Sequence, residues 1–206
     1  MENKAILMSI QPRWVAEILN GNKTIEVRKK FPKDYVGWVY IYCTKNGRPL
    51  VYGSPCPSYV EDSYVQTYNI SKKDADKIFG SLNGKVVAKF WCDKVEEIYC
   101  QLHFNGWALE TDTMSRDTLN KRSCLNDKEL REYFNRGVYT FNETYGYAIH
   151  ISKLEVFDKP KELWQLRKKG CAGCYLNHKK IKCNQCGIKY PCGLEKAPQS
   201  WCYVEE

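Results

Sequence analysis

Four short runs of β-branched and aromatic residues set the fold class open to this chain of 206 residues. They cover residues 5–10, 36–43, 85–92 and 145–157, the last being long enough for one strand or a strand pair. Such runs favour strands. No stretch approaches the length of about 18 apolar residues that a membrane-spanning helix needs. The pattern therefore predicts a strand-rich domain and no membrane segment.

Two short helices are predicted between these runs. The first opens at Pro12, whose missing N–H is not needed in a first turn, and ends before Gly21. The second covers residues 128–135, where Asn126 and Glu129 have the spacing of a capping arrangement. Between residues 45 and 62, three prolines and two glycines predict a long irregular connection, and loops of this length are often functional.

A glycine turn followed by an alternating polar segment is the strongest candidate for a binding site. In Thr-Ile-Glu-Val-Arg, residues 24–28, the apolar members enter the core and Thr24, Glu26 and Arg28 share the opposite face. Lys23 supplies a point charge for a phosphate, and the Arg28 guanidinium supplies a planar pair of donors. Glu26 can position that guanidinium or act as a general base.

The alternative interpretation of this segment is a solvated strand face with a Glu–Arg pair, which contributes about 0–1 kcal/mol to stability. Pro12 and Trp14 lie at the entry of the first helix, where an aromatic ring can line a pocket. Trp14 is equally compatible with a place in the core. Spacing alone leaves both interpretations open.

The pattern Gly21-x-Lys23-x-x-Glu26-x-Arg28 resembles the hallmark of the ASCH family. Residues 6–12, 146–163 and 197–206 resemble the opening, closing and final segments of phage and bacterial members. The resemblance implies an α+β fold, a PUA-like small mixed β-barrel with flanking short helices, and a cleft that accepts RNA or a nucleotide. It assigns to that cleft Pro12, Trp14, Gly21, Lys23, Thr24, Glu26 and Arg28.

Catalysis is a separate expectation. Some small bacterial ASCH proteins are amidohydrolases that deacetylate acetylcytidine with a lysine and a threonine of this motif, and with a distant glutamate. Lys23 matches the lysine, but Glu26 stands where those proteins have the threonine. The resemblance therefore implies binding more than catalysis. The alternatives are a nucleoside amidohydrolase or a ribonuclease that uses Lys23 and Glu26, and a phage regulatory protein that acts through protein contacts.

A cluster of cysteines near the end of the sequence predicts a metal site. Eleven cysteines are present, and six of them follow residue 170. Two Cys-x-x-Cys pairs, separated by eight residues, can provide the four thiolates of a structural zinc site. This predicts a domain over residues 1–166 and a zinc-binding tail over 167–206. The ligands are Cys171, Cys174, Cys183 and Cys186, with Cys192, Cys202 and His178 as further candidates.

The charge distribution favours a polyanionic partner. The net charge is +8, and residues 161–206 contribute +5 of it. With no apolar signal core behind Met1, a cytoplasmic location is expected, which is the host cytoplasm if the protein is encoded by a phage. The scattered cysteines are expected to be small buried residues. His103 and His150 have no fixed spacing to an acid, so structural roles are expected for them.

Overall fold

The computed structural model describes residues 4–46, 50–52, 57–59, 81–104, 106–134, 143–168 and 193–205. The chain divides into two compact units. The first unit comprises Met1–Leu19, Gly37–Phe90 and Leu154–Glu206. The second unit comprises Asn20–Val36 and Trp91–Lys153.

Strands dominate both units. The helices in the described residues are α1 (Pro12–Leu19), α2 (Arg116–Ser123), α3 (Asp127–Phe134) and the 3₁₀ turn η1 (Leu163–Gln165). The strands are β1 (Lys4–Ile10), β2 (Ile25–Arg28), β3 (Gly37–Cys43), β4 (Leu50–Tyr52), β5 (Pro57–Tyr59), β6 (Val86–Cys92), β7 (Val95–His103), β8 (Gly106–Glu110), β9 (Thr144–His150), β10 (Ser152–Lys161), β11 (Arg167–Lys168) and β12 (Trp201–Glu205). The predicted α+β class is confirmed, whereas the closed barrel stays a prediction.

A six-stranded sheet in the order β10-β6-β3-β1-β12-β11 supports the first unit. β1 is parallel to β3 and antiparallel to β12, so it lies inside the sheet with both edges paired. Successive side chains point to opposite faces and residues 5–10 are all buried, so both faces are covered, which explains a largely apolar run without polar alternation. The side chains of residues 5–8 are buried.

The end of the predicted zinc tail contributes to this same sheet. Within β12, Cys202 pairs with Leu7 and Val204 pairs with Ala5. Cys202 is partly buried against the core cluster of the first unit, and burial raises the pKa of its thiol. A thiol in such a place is a poorer zinc ligand, because the metal binds the thiolate. The other six candidates lie outside the described residues, so the tail stays a prediction.

A four-stranded sheet in the order β2-β9-β7-β8 supports the second unit. One face of the sheet is covered by α2 and α3, and apolar side chains from both helices and from the strands form a single core cluster. Its members include Ile25, Ile98, Leu119, Leu130 and Phe134. As expected from the alternating pattern, Ile25 and Val27 of β2 belong to this core.

Local sequence signals account for α3. Asn126 Oδ1 accepts a hydrogen bond from the Glu129 backbone N–H at 2.9 Å, and Glu129 Oε2 accepts one from the Asn126 N–H at 3.0 Å. This reciprocal capping satisfies two donors that the first turn leaves without helical partners. The predicted helix of residues 128–135 is thus confirmed, with a shift of one residue.

Two regions differ from the sequence predictions or refine them. The connection of residues 45–62 is not wholly irregular, because β4 and β5 form an antiparallel pair with Leu50 opposite Tyr59. Strands of three residues are too short to produce a readable alternation. The run of residues 145–157 is a strand pair, β9 and β10, rather than one strand.

The scattered cysteines are packing residues, as predicted. Cys43, Cys92 and Cys100 are buried, and Cys124 is half-buried, whereas Cys56 lies outside the described residues. Burial raises the pKa of Cys43 to about 12 and that of Cys92 to about 12. Among the described helices, none has the length and apolar character to cross a membrane.

Candidate functional site

The turn before β2 and the end of α2 bring three charged groups of the motif together in the second unit. Lys23 Nζ lies 3.4 Å from Glu26 Oε2, and Arg28 Nη2 lies 3.0 Å from Glu26 Oε1. Lys23 Nζ also donates a hydrogen bond of 2.6 Å to the backbone carbonyl of Ser123. Ser123 is the last residue of α2, where a helix concentrates partial negative charge. Lys23 therefore acts as a cationic cap on α2.

These groups are buried. Lys23 is 2% exposed, Glu26 is 6% exposed and Arg28 is 9% exposed. The interpretation of a solvated strand face is therefore wrong, although the Glu26–Arg28 pair that it included is present. Burial lowers the pKa of Lys23, and the charge of Glu26 opposes this effect without cancelling it. Two cationic side chains therefore share the carboxylate of Glu26.

The remaining motif residues hold the turn in place. Gly21 has a φ of +77°, a left-handed conformation that glycine adopts without strain. The Thr24 backbone N–H donates to the Arg122 carbonyl at 2.9 Å, and Arg122 Nε donates to Thr24 Oγ1 at 3.1 Å. Thr24 is thus engaged with α2, so its hydroxyl serves the fold.

A basic rim continues from the buried cluster to the surface. Lys29 and Lys30 directly follow Arg28 and are exposed, and the Lys29 ammonium lies 5.5 Å from the centre of the Tyr133 ring. Tyr133 is 38% exposed. Burial raises the pKa of its phenol, and the nearby charge of Arg28 opposes this effect. The basic run of residues 28–30 is visible in the sequence, whereas its proximity to the ring of Tyr133 on α3 is not.

Pro12 and Trp14 lie in α1, which belongs to the first unit, whereas Gly21, Lys23, Thr24, Glu26 and Arg28 belong to the second unit. Pro12 is buried, and Trp14 is half-buried. The Arg13 guanidinium lies 4.2 Å from the centre of the Trp14 ring and covers one of its faces. Trp14 therefore already stacks with a residue of its own helix.

A second polar cluster surrounds Glu96 on β7. Its Oε2 accepts hydrogen bonds from Thr111 Oγ1 at 2.8 Å and from Thr113 Oγ1 at 2.5 Å. Its Oε1 lies 2.5 Å from His150 Nε2 and 3.1 Å from Lys94 Nζ. Four groups from three segments therefore converge on one buried carboxylate. Sequence reasoning missed this cluster because its members lie far apart along the chain.

The two carboxylates Glu26 and Glu96 lie on opposite faces of the sheet. Glu26 is opposite Ile149 on β9, whereas Glu96 is opposite Ala148. Successive residues of a strand point to opposite faces, so the neighbours Ala148 and Ile149 assign the two carboxylates to different faces. They cannot therefore act as an acid–base pair on one substrate atom.

The environment of Glu96 fixes its charge state. Burial raises its pKa, but hydrogen bonds from Thr113, Thr111, Lys94 and His150 outweigh burial and bring the pKa down to about 2. For His150, burial lowers the pKa more than the neighbouring Glu96 raises it. A neutral imidazole that donates from Nε2 to an ionised Glu96 fits both shifts.

We expect His150 to make folding stability depend on pH. Its pKa is lower in the folded protein than the unfolded value of about 6.5, so the unfolded chain binds more protons below that pH. The free energy of unfolding should therefore fall as the pH is lowered through about 6.5. Urea unfolding at a series of pH values measures this slope. A His150→Gln variant should show a flatter profile over this range, and an unchanged slope would contradict the assignment.

Both predicted lone histidines have an acidic partner. His103 Nε2 lies 3.1 Å from Glu110 Oε1 beside a cavity of about 210 Å³, and the His150–Glu96 pair is described above. The structural roles expected for them fit these pairs. No group of three or more potential metal-ligating side chains occurs in the part of the chain that the structure describes.

Some solved protein structures are similar to this chain. One of them, ASCH from Zymomonas mobilis, is similar over 79% of this chain and 76% of that protein, with a TM-score of 0.41 and 13% sequence identity. No family model matches the sequence, and no curated protein matches it.

Proposed function

We propose that this chain binds RNA or a nucleotide through the second unit. In this proposal, Arg28, Lys29 and Lys30 contact phosphate groups and Tyr133 supplies the surface against which a base stacks. The proposal also holds that the domain is PUA-like and that it recognises RNA or a nucleotide through the motif face, which is the face of β2 that carries Glu26 and Arg28. The observation that carries it is the basic run at the end of β2 beside an exposed aromatic ring.

Charge supports the placement of a phosphate. Glu26 is the shared partner of Lys23 and Arg28, so one carboxylate serves two cations. Lys23 also donates to the carbonyl of Ser123, and Arg28 directly precedes the exposed Lys29 and Lys30. The exposed ammonium groups of these two lysines can contact a phosphate at the rim.

The aromatic ring supports the placement of a base. Single-stranded nucleic acids bind to grooves in which cations follow the backbone and aromatic rings stack on bases. Tyr133 offers an exposed ring, and Lys29 lies above it, so a phosphate contact and a stacking contact are adjacent. This arrangement fits single-stranded RNA better than a duplex, in which the bases are not available for stacking.

The proposal is tested by RNA binding to the full chain. We expect twelve-nucleotide oligouridylate and oligoadenylate to bind in a salt-sensitive way. Lys29→Gln should weaken binding and reduce the salt slope by about one. Tyr133→Leu should weaken binding about tenfold, because stacking contributes about 1–3 kcal/mol per base. Fluorescence anisotropy at several salt concentrations measures both effects.

Lys128→Gln is the matched control, because it removes the same charge from an exposed position that is paired with Glu132 at 3.9 Å. It should bind RNA like the unchanged protein. Equal affinities for Lys29→Gln, Tyr133→Leu and Lys128→Gln would refute the proposal. Because Lys29 and Tyr133 are exposed, these variants are expected to fold, and thermal unfolding verifies this.

Proton-transfer chemistry is the second candidate, and the lowered pKa of Lys23 beside Glu26 favours it. In that case, the chain would be a nucleoside amidohydrolase or a ribonuclease in which Lys23 and Glu26 act on the substrate. Incubation with acetylated cytidine and with single-stranded RNA tests it. The absence of turnover on both would remove this candidate.

A structural zinc site in the tail remains part of the proposal. The spacing of Cys171, Cys174, Cys183 and Cys186 supports it, and these residues lie outside the described ranges. Elemental analysis of the protein purified under reducing conditions should give about one zinc per chain. A ratio near zero would contradict the site.

A further inference from the structure

A cavity of about 600 Å³ lies in the first unit, entirely within described residues and separate from the motif face. It is lined by the end of β3, the glycine turn before β6, the 3₁₀ turn η1 and residues 193–197. Its size falls in the range of about 300–1,000 Å³ that is typical of small-molecule sites.

The walls of the cavity are fixed by close backbone packing. The Leu194 N–H donates to the Leu166 carbonyl at 3.0 Å and holds residues 193–197 against η1. Gly193 packs so closely on the Trp164 carbonyl that a β-carbon there would overlap with it. Elsewhere on the lining, the aliphatic stem of Lys45 passes over Gly84, where a β-carbon would lie 3.0 Å from Lys45 Cε. Backbone packing therefore fixes the part of the wall that residues 193–197 form.

An exposed tryptophan and two lysines give the cavity its chemistry. Trp164 is 68% exposed, although its ring is among the largest apolar surfaces that a side chain offers. Lys45 and Lys196 both line the cavity and are exposed. Neither forms an ion pair with another residue that the structure describes, whereas Glu162 on the same wall is paired with Lys85 at 3.6 Å. Because Glu162 is paired with Lys85, the charged groups left on the lining are the ammonium groups of Lys45 and Lys196 and the carboxylate of Glu195.

These observations define the ligand class. A planar ring can stack on Trp164, and tryptophan is well suited to this because a flat aromatic face attracts another ring in offset geometry. An anionic group attached to the ring can lie between Lys45 and Lys196. A nucleotide combines a planar base with a phosphate. Glu195, also on the lining, is an acceptor for an exocyclic amine of a base.

We propose that the cavity lined by Trp164, Lys45 and Lys196 is a second nucleotide site, independent of the basic rim in the second unit. The base stacks on Trp164 and the phosphate contacts the two ammonium groups. The same chemistry is offered by a free mononucleotide and by one nucleotide of an RNA strand. The inference does not rest on the proposed function, because it uses no residue of the motif face.

Isothermal titration of the full chain tests this site with adenosine monophosphate, adenosine, inorganic phosphate and a twelve-nucleotide oligoadenylate. We expect Trp164→Leu to weaken binding of the monophosphate about tenfold, whereas Trp164→Phe, which keeps a stacking ring, retains most of the affinity. The double variant Lys45→Gln, Lys196→Gln should reduce the affinity for the monophosphate to that for adenosine.

The outcomes separate the two sites and the two ligand sources. In the Tyr133→Leu variant, which weakens binding at the rim, tighter binding of the monophosphate than of the oligonucleotide identifies a free nucleotide at the cavity, and the reverse order identifies an RNA strand. Tyr133→Leu should leave binding at the cavity unchanged. The inference is overturned if Trp164→Leu binds the monophosphate normally, if inorganic phosphate binds as tightly as the monophosphate, or if no nucleotide binds. Loss of RNA binding in Tyr133→Leu alone would then still support the rim.

Discussion

Replacement of Gly146 by alanine is expected to destabilise the protein by about 3 kcal/mol, the upper end of the range of about 1–3 kcal/mol that overpacking of a core typically costs. Gly146 lies in β9, between β2 and β7. A β-carbon there would lie 2.5 Å from the Arg28 carbonyl oxygen and 2.5 Å from a ring carbon of Phe134. The carbonyl belongs to a neighbouring strand and the ring to the core cluster, so neither can move at low cost. Urea unfolding measures the loss.

Gly21→Ala is the matched control for this change. Gly21 has a φ of +77° and open space around it, so alanine there adds backbone strain of about 1 kcal/mol but no overlap. A loss at position 146 no greater than that at position 21 would show that the strands separate easily. The double variant Gly146→Ala, Phe134→Leu should recover part of the stability, because it removes one of the two overlapping groups.

Removal of the Glu96 carboxylate is expected to have the second large effect. Glu96→Ala leaves Thr111 and His150 without their buried acceptor, at about 1–3 kcal/mol for each lost partner. We expect a decrease of about 3 kcal/mol in the free energy of unfolding. Glu96→Gln keeps one acceptor oxygen and should lose less. The matched control is Glu97→Ala on the same strand, where the pairing with Lys33 is largely exposed.

The same carboxylate should govern stability in acid. The folded pKa of Glu96 is about 2, below the unfolded value of about 4.3, so the stabilisation is complete above the unfolded pKa. It is lost as the pH falls from about 4.3 towards 2, because the unfolded chain then binds the extra proton. Glu96→Gln should remove this slope. A slope that persists in the variant would contradict the assignment to Glu96.

Elements with strong local signals could be predicted from the sequence. The run of residues 5–10 is recognisable as a strand because its side chains are buried on both faces, and Pro12 and Gly21 delimit the first helix and its turn. The Asn126–Glu129 arrangement marks the start of α3. In each case, the residues that determine the element lie within it or next to it in the sequence, so a short stretch of sequence is enough to predict it.

Other elements depend on contacts between distant residues. Glu96, Ile98 and Cys100 share the face of β7 that points into the core. Because the first of these residues is charged, the alternation of polar and apolar residues is difficult to recognise in the sequence. The helix α2 has only Leu119 and Ser123 buried, so it has no apolar stripe. It is held by the hydrogen bonds of Lys23 to Ser123 and of Thr24 to Arg122. No local pattern predicts such contacts.

The sequence predicted which residues form the candidate site, but it did not predict that their side chains are buried. Spacing placed Glu26 and Arg28 on one face of β2, and the ion pair between them is present. Their low exposure could not be predicted, because the acceptor that holds Lys23 is a backbone carbonyl, and any residue type supplies one. The polar cluster around Glu96 joins residues 94–96, 111–113 and 150, and no motif links them.

The pairing of β1 with β12 has a consequence for biosynthesis. Leu7 pairs with Cys202, so one edge of β1 cannot acquire its partner until residues 201–205 have left the ribosome. Contacts between residues so distant in sequence form slowly, and an unpaired apolar strand edge invites association with other chains. The nascent protein should therefore bind chaperones through β1 until residues 201–205 are made, and it should aggregate when translation stops before them.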